Sequence, residues 1–361
     1  MNFKRLLFLW LIMVMFSGGA LAQMYTDHIV RNFELSGKSS IEIYNKYGKV
    51  HIITWDKDSV KFEIDLRIVA TNTEKLGKLK NQISFDFTNT NYYIIARTRF
   101  ERPGGVFANL ASTIVPLNDI SINYTVYLPA TATLKVENKY GDVFIDDHLG
   151  NLDLSVSNGN LKANYLKGNS FVELKYADSE INKIDNGTLE ISYCDFEIEE
   201  AGKLKLITKR SKLKINRANK LSISSRQDRY DINETDELTG QGDFTKLNIG
   251  KLNKEISFSN KYYGVVIEEI NMKFRLVNLV SDYTDINLGF PAGSSYNLDI
   301  NHHKDVQLLY PSNIKTIETQ VLNEEENLMM TYGLIGAKAT SNSPKVKIVA
   351  NKKCYISIIH R

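Results

Sequence analysis

Leu134-Lys135-Val136-Glu137-Asn138-Lys139-Tyr140-Gly141-Asp142-Val143-Phe144-Ile145 contains two short stretches in which apolar and polar residues alternate, separated by turn formers. Successive residues of a strand point to opposite faces, so Leu134 with Val136, and Val143 with Ile145, each place two side chains on one side. The pattern recurs about every 17 or 18 residues as far as roughly Gly289. The units open at Leu134, Leu152, Val172, Leu189, Leu204, Leu221, Leu238, Ile256 and Phe274. Most carry apolar residues at offsets of about +2, +9 and +11, as in Leu204, Leu206, Leu213 and Ile215. A single unit of strand, turn, strand and turn cannot bury its own apolar side. Stacking solves this, because each neighbour pairs both strands and roofs the apolar rows.

The expected fold class is therefore all-β: a parallel β-solenoid (β-helix-like) of about 17 to 18 residues per coil, with a small N-terminal strand/helix insertion. An antiparallel meander closed as a sandwich would use the same strands and turns. The near-constant unit length favours the solenoid.

The chain divides accordingly into 1–22, a signal peptide; 23–130, an N-terminal coil and capping strand/helix region; 131–289, the repeat array; and 290–361, C-terminal coils and closing strands. In the first segment Lys4 and Arg5 precede an apolar run from Leu6 to Phe16 and the small-residue site Ala20-Leu21-Ala22. That run is shorter than the roughly 20 residues a membrane span needs. We expect cleavage after Ala22, export to the periplasm or cell surface, and no transmembrane segment in the mature chain.

In the second segment Ile41, Ile43, Asn45-Lys46-Tyr47-Gly48, Val50 and Ile52 copy the first unit, so a coil precedes the array. Thr73 to Gln82 is the one helix candidate, capped by Asn72 or Thr73. Phe100 to Asp119, with Pro103-Gly104-Gly105, reads as a loop. At the other end Val346 to Val349 and Tyr355 to Ile359 read as a strand pair closing the far end.

Over 361 residues, 43% hydrophobic and 24% charged residues suit a folded soluble protein, and a formal net charge of +3 argues against a protein dominated by nucleic-acid binding. The two cysteines, Cys194 and Cys354, sit in distant units. Units of a solenoid touch only their neighbours, so we expect two unpaired thiols rather than a disulfide.

The Asn-Lys-Tyr-Gly-Asp-Val unit, the strand ending Tyr127-Leu128-Pro129-Ala130 before it, and the closing Pro344-Lys345-Val346-Lys347-Ile348 strand resemble the DUF4097/DUF2807 group of exported β-strand-repeat proteins. These are often named adhesins or head-domain adhesins and are common in Bacteroidetes. The resemblance covers most of the mature chain and implies a right-handed β-helix-like fold in the cell envelope. It supplies no catalytic residues.

Motifs for chemistry are sparse. Asp146-Asp147-His148 is the sharpest cluster, since paired carboxylates on a β-helix can serve as acid and base in polysaccharide hydrolysis. It sits at a coil corner, where Asp commonly makes turns, and we read it as structural. His302-His303 with Asp305 lacks a third ligand, and adjacent strand residues point apart. No nucleophile elbow, P-loop, dinucleotide fingerprint or zincin motif is present. No catalytic residue, metal or cofactor is expected, and no nucleic-acid partner.

The outward residues at offset +1 mix signs, whereas the turns of the middle units offer Lys209, Arg210, Lys212, Arg226, Arg229 and Lys246, flanked by Tyr176 and Tyr193 on one side and Tyr262 and Tyr263 on the other. Stacked at strand spacing, these make a basic strip with aromatic ends. Arg offers forked hydrogen bonds to carboxylate or phosphate, and Tyr can stack on sugar rings. The first-ranked function is a non-catalytic exported cell-envelope adhesin binding an envelope or extracellular ligand along the repetitive solenoid surface; the strip reads first as a solvated turn edge, and alternatively as a site for an anionic glycan or lipopolysaccharide. A structural or signalling scaffold for another envelope protein comes second, and a carbohydrate-active enzyme third.

Overall fold

The computed structural model describes residues 22–36, 39–101 and 119–361. The signal-peptide segment and most of the loop expected between Phe100 and Asp119 lie outside the described residues.

From Asp178 onward, four successive strands of 15 residues each make one circuit: Asp178–Ser192, Asp195–Lys209, Lys212–Arg226 and Arg229–Asp243. Each runs from one sharp corner right round the coil to the next, where two residues such as Tyr193 and Cys194 make the turn. Each pairs in parallel with the coils before and after it, so Asp195 faces Lys212 and Lys212 faces Arg229. Equivalent residues stand 18 apart early in the array and 17 apart in its middle. The chain is thus a stack of near-identical rungs, as a parallel solenoid requires.

The register corrects three unit starts. Leu152 faces Ser170, and Gly187 faces Leu204, so the third and fourth units open at Ser170 and Gly187. Val172 and Leu189 belong instead to the second inward position, in line with Leu154 and Leu206. A small or polar residue at the opening position hides it from an apolar pattern. Phe274 is not a unit start either, since Ile256 faces Val277. Phe274 closes a turn onto Asn271 O at 2.9 Å and buries its ring against Phe290, with centroids 5.6 Å apart.

The core holds a third inward row that alternation alone does not reveal. His148, Leu166, Ile184, Ala201, Ala218, Thr235 and Leu252 follow one another from rung to rung. All are buried. Only one or two residues per coil point inward on this side, which is too short a run for a period of two.

At the start of the stack, Ser40–Lys46 and Val50–Trp55 pair in parallel with Thr133–Lys139 and Val143–Ile145, forming the expected early coil. Beyond it the sheet continues through the hairpin Ile83–Asn89 and Tyr93–Phe100 on one side. On the other it continues through Ile120–Pro129, Ser59–Ala70 and the twelve-residue strand Gln23–Glu34. The helix Thr73–Asn81 starts where Asn72 accepts a hydrogen bond from Lys75 N.

At the opposite end the chain order and the stacking order part company. Lys345–Ala350 and Tyr355–His360, expected to close the far end, insert against Leu276–Phe290. Tyr296–His303 and Gln307–Leu309 stack outside them, and Ile314–Asn323 and Leu328–Ile335 add two antiparallel strands. Two-residue alternation specifies a strand's faces but not its place in a stack of parallel rungs.

Candidate functional site

The corner that joins the first inward row to the second has a repeated chemistry. Its second residue is Tyr47, Tyr140, Asn158, Tyr176, Tyr193, Arg210, Gln227, Phe244, Tyr262 and Tyr283 in successive rungs, with φ between 50° and 66° throughout. That left-handed conformation suits glycine or asparagine and is an outlier for a bulky side chain. The backbone pins it: Tyr140 N donates to Ser157 O at 2.9 Å, Tyr193 N to Lys209 O at 3.0 Å, and Arg210 N to Arg226 O at 3.0 Å.

The third corner residue is small and inward, as with Ala177, Cys194, Ser211 and Thr245, all buried. Gly141 occupies this place because a Cβ there would lie 2.0 Å from Gly48 O. The asparagine two residues before the corner tyrosine also turns inward, where Asn138 Nδ2 donates to Gly48 O at 3.0 Å and to Gly141 O at 2.8 Å. These residues tie each corner to the one beside it.

Outward, the second-position side chains form a row of flat groups. Tyr47 and Tyr140 stack with centroids 5.4 Å apart, Tyr176 and Tyr193 at 5.0 Å, Phe244 and Tyr262 at 4.5 Å, and Tyr262 and Tyr283 at 5.4 Å. Between Tyr193 and Phe244 the row is completed by polar planes. Arg210 donates from Nε to Gln227 Oε1 at 2.8 Å and from a terminal nitrogen to the Tyr193 hydroxyl at 3.1 Å.

The structure brings most of the predicted strip to one place. A shallow groove of about 750 Å³ is lined by Tyr193, Arg210, Lys212, Arg229, Phe244, Lys246 and Tyr263, among others. Lys209 and Arg226 face each other at the ends of two adjacent strands, just before the corner residues Arg210 and Gln227 that line it. Tyr262 lies in the stack, and Tyr263 is an added residue at its corner, edge-on to Phe244 at 6.4 Å. The charge differs from a bare cationic strip: Lys212 pairs with Asp195 at 3.2 Å, and Arg229 with Asp231 at 2.7 Å. The Asp231 carboxylate beside it holds the Arg229 guanidinium above its ordinary value. Lys209, Arg226 and Lys246 have no ion-pair partner among the described residues. Phe244 and Tyr283 completed the aromatic row without being singled out from sequence. The signal that finds them is an aromatic followed by a small residue, once per repeat.

The other clusters are structural. His148 turns into the third core row, with Nε2 3.4 Å from Asn151 O and Nδ1 without a hydrogen-bond partner. Asp146 lies 3.6 Å from His51, and Asp147 bonds Asn164, so the three residues face different surroundings. His302 points inward to Thr331 Oγ1 at 2.9 Å while His303 meets Asp305 at 3.3 Å. Among the described residues no group of three or more His, Cys, Asp or Glu could hold a metal. Cys194 and Cys354 are free and buried, with the corners at Ser211, Asp228 and Thr245 following Cys194 in the stack.

Burial lowers the pKa of His148. A lowered folded-state value means that its contribution to stability is complete above the unfolded value of about 6.5 and is lost as pH falls toward the folded one. Thermal midpoints followed from pH 8 to pH 5 should therefore drop more steeply for wild type than for His148→Leu. Parallel curves would show that His148 protonates at no cost. His360, whose pKa burial also lowers, leaves a residual slope in both proteins.

No helix of the described residues is long and apolar enough to cross a membrane. No family model matches the sequence. No curated protein matches it. Among solved structures, a candidate cell adhesion protein from Clostridium sporogenes ATCC 15579 is similar at 13% identity over 93% of this chain and 100% of that one, with a TM-score of 0.21. A candidate adhesin from Bacteroides fragilis NCTC 9343 is similar at 11% identity over 73% of this chain and 97% of that one, with a TM-score of 0.26. Likenesses this distant carry no conclusion about function.

Proposed function

We propose that this is a non-catalytic, exported binding protein of the cell envelope, an adhesin in the broad sense, that holds an anionic glycan against its corner groove. The observation that carries the reading is the trio Lys209, Arg226 and Lys246, unpaired cations beside a groove walled by Tyr193, Phe244 and Tyr263. Lys209 faces Arg226, and past the corner Lys246 faces Arg229; opposing cations on neighbouring rungs about 5 Å apart repel one another, and an anion lying across them relieves that repulsion. Carboxylate and phosphate groups of an acidic polysaccharide or of lipopolysaccharide have the required charge.

Titration of polygalacturonate and of lipopolysaccharide at low and moderate salt tests this. Lys209→Glu, Arg226→Glu and Lys246→Glu together should abolish binding that in wild type weakens steeply with salt. Equal affinity in the two proteins would remove the groove as the site.

A second reading, a scaffold for another envelope protein, draws on the end strand Ile314–Asn323. It pairs on one side only among the described residues and exposes Val321 and Leu322. Such edges accept an added strand. Capture of one protein that is lost when Val321 and Leu322 become lysine would favour that reading.

A further inference from the structure

The aromatic row poses a geometric problem for any sugar ligand. Rings stacked on one another hide their faces, and a pyranose ring binds an aromatic through its face. Within the row, a face opens where the stack is interrupted by a short side chain. Among the described residues this happens between two tyrosines at one rung, Asn158. Tyr140 stacks on Tyr47 on one side of that rung, and Tyr176 stacks on Tyr193 on the other, each pair tilted by only 15°. The two inner faces look at each other across an exposed asparagine. Tyr176 is 58% exposed, against 36% for Tyr193 and 42% for Tyr262, each covered on both faces; Tyr140, at 39%, falls in the range of the covered rings.

The width follows from the rungs. Two steps of roughly 4.8 Å leave about 10 Å between the rings. A flat aromatic guest at contact distance of about 3.5–4.0 Å from each ring needs only about 7–8 Å and would leave slack. A chair-shaped pyranose, thicker by its axial hydrogens, fills the gap. Two residues past Tyr140, Asn158 and Tyr176, at the start of the following strand, Asp142, Asn160 and Asp178 succeed one another. Asn160 N donates to Asp142 Oδ1 at 3.0 Å, and Asp178 N donates to Asn160 Oδ1 at 2.8 Å. These bonds fix the Asp142 and Asn160 side chains and leave a carboxylate oxygen and an amide NH₂ for sugar hydroxyls.

We propose that the gap between Tyr140 and Tyr176, floored by Asn158, is a subsite for one pyranose ring, gripped on both faces. It rests on the reading that this corner is the ligand-binding edge, and it makes the anionic ligand a glycan rather than a bare phosphate. The gap lies three to four rungs from Arg210 and Arg226, or roughly 14–19 Å. A hexasaccharide can therefore occupy the gap and the cationic groove together, and a monosaccharide cannot.

Asn158→Tyr is the decisive variant, because it completes the stack with the residue found at both neighbouring rungs. It should fold, since tyrosine holds the same left-handed conformation at both neighbouring rungs, and still lose the subsite. Hexasaccharides and monosaccharides of glucose, N-acetylglucosamine and galacturonate are the probes, read by calorimetry and by saturation transfer from the protein to sugar ring C–H protons. Wild type should transfer saturation to the ring protons of at least one hexasaccharide. Tyr176→Ala should weaken that sugar roughly tenfold by removing one stacked face, and Asn158→Tyr should abolish the transfer. Wild-type affinity in Asn158→Tyr, or no transfer to any of these sugars in wild type, overturns the subsite. If Asn158→Tyr keeps full galacturonate binding while the triple Lys209, Arg226 and Lys246 charge reversal loses it, the subsite fails and the groove stands. The opposite pattern removes the groove and keeps the subsite.

Discussion

Leu206→Asp should cost several kcal/mol and melt the coils on both sides of it. Leu206 is fully buried, with Leu189 facing it from the rung before and Ile223 from the rung after. Deleting a buried leucine side chain to alanine alone costs about 2–5 kcal/mol. The aspartate adds a carboxylate with no cation or donor in an apolar row, a further cost of roughly the same order. In a stack where each coil leans on its neighbours, the damage spreads along the axis and fades with distance. Hydrogen exchange should show protection lost first across Asp178–Arg226, while the end strands Gln23–Glu34 and Leu328–Ile335 keep theirs. A thermal midpoint within about a degree or two of wild type would mean that the inward register is wrong.

The register was legible because strand alternation and unit length are both written in side-chain polarity, and the first two inward rows obey them. The third row was not, since a side that turns in one residue per coil has no alternation to read. The order of the C-terminal rungs was hidden for a related reason: the inner faces of Val346–Ile348 and Tyr296–Ile300 are both apolar, and alternation alone fits either place.

At the site, the cations were found because unpaired charge in consecutive turns stands out, but their pairing was not. Asp195 meets Lys212 only once the rungs are stacked, whereas Asp231 lies two residues beyond Arg229 on the same strand and pairs with it along that strand. The aromatic row was half visible. Tyr176, Tyr193, Tyr262 and Tyr263 were seen as flanks of a basic strip, but that they share one backbone conformation with Arg210 and Gln227 follows only from the φ angles.

Asp228→Ala should be the most damaging change beneath the corner groove, although it removes no apolar surface. Asp228 fills the third corner position, where neighbouring rungs have Ser211 and Thr245, and it is buried. Its Oδ1 accepts from Ser211 N at 2.7 Å. Its Oδ2 accepts from Thr208 Oγ1 at 2.6 Å, Ser225 Oγ at 2.6 Å and Arg226 N at 2.9 Å. The carboxylate thus satisfies two backbone donors and two hydroxyls from two adjacent coils.

Alanine leaves the hydroxyls with other partners, because Thr208 also meets the Tyr230 hydroxyl and Ser225 also meets Thr245, each at 2.7 Å. The amide of Ser211 has no such alternative, whereas Arg226 also stands in the ladder opposite Lys209. A buried donor left unmade costs about 1–3 kcal/mol, so a loss of roughly 2–3 kcal/mol is expected. Asp228→Asn should cost less, since its carbonyl oxygen keeps part of the set while its NH₂ meets donors where an acceptor stood. The urea midpoint measures the total, and exchange of the Ser211 and Arg226 amides locates it. If both amides remain as protected in Asp228→Ala as in wild type, the corner is held by its backbone ladder alone. Arg210 and Arg226 would then keep their placement at the groove without Asp228.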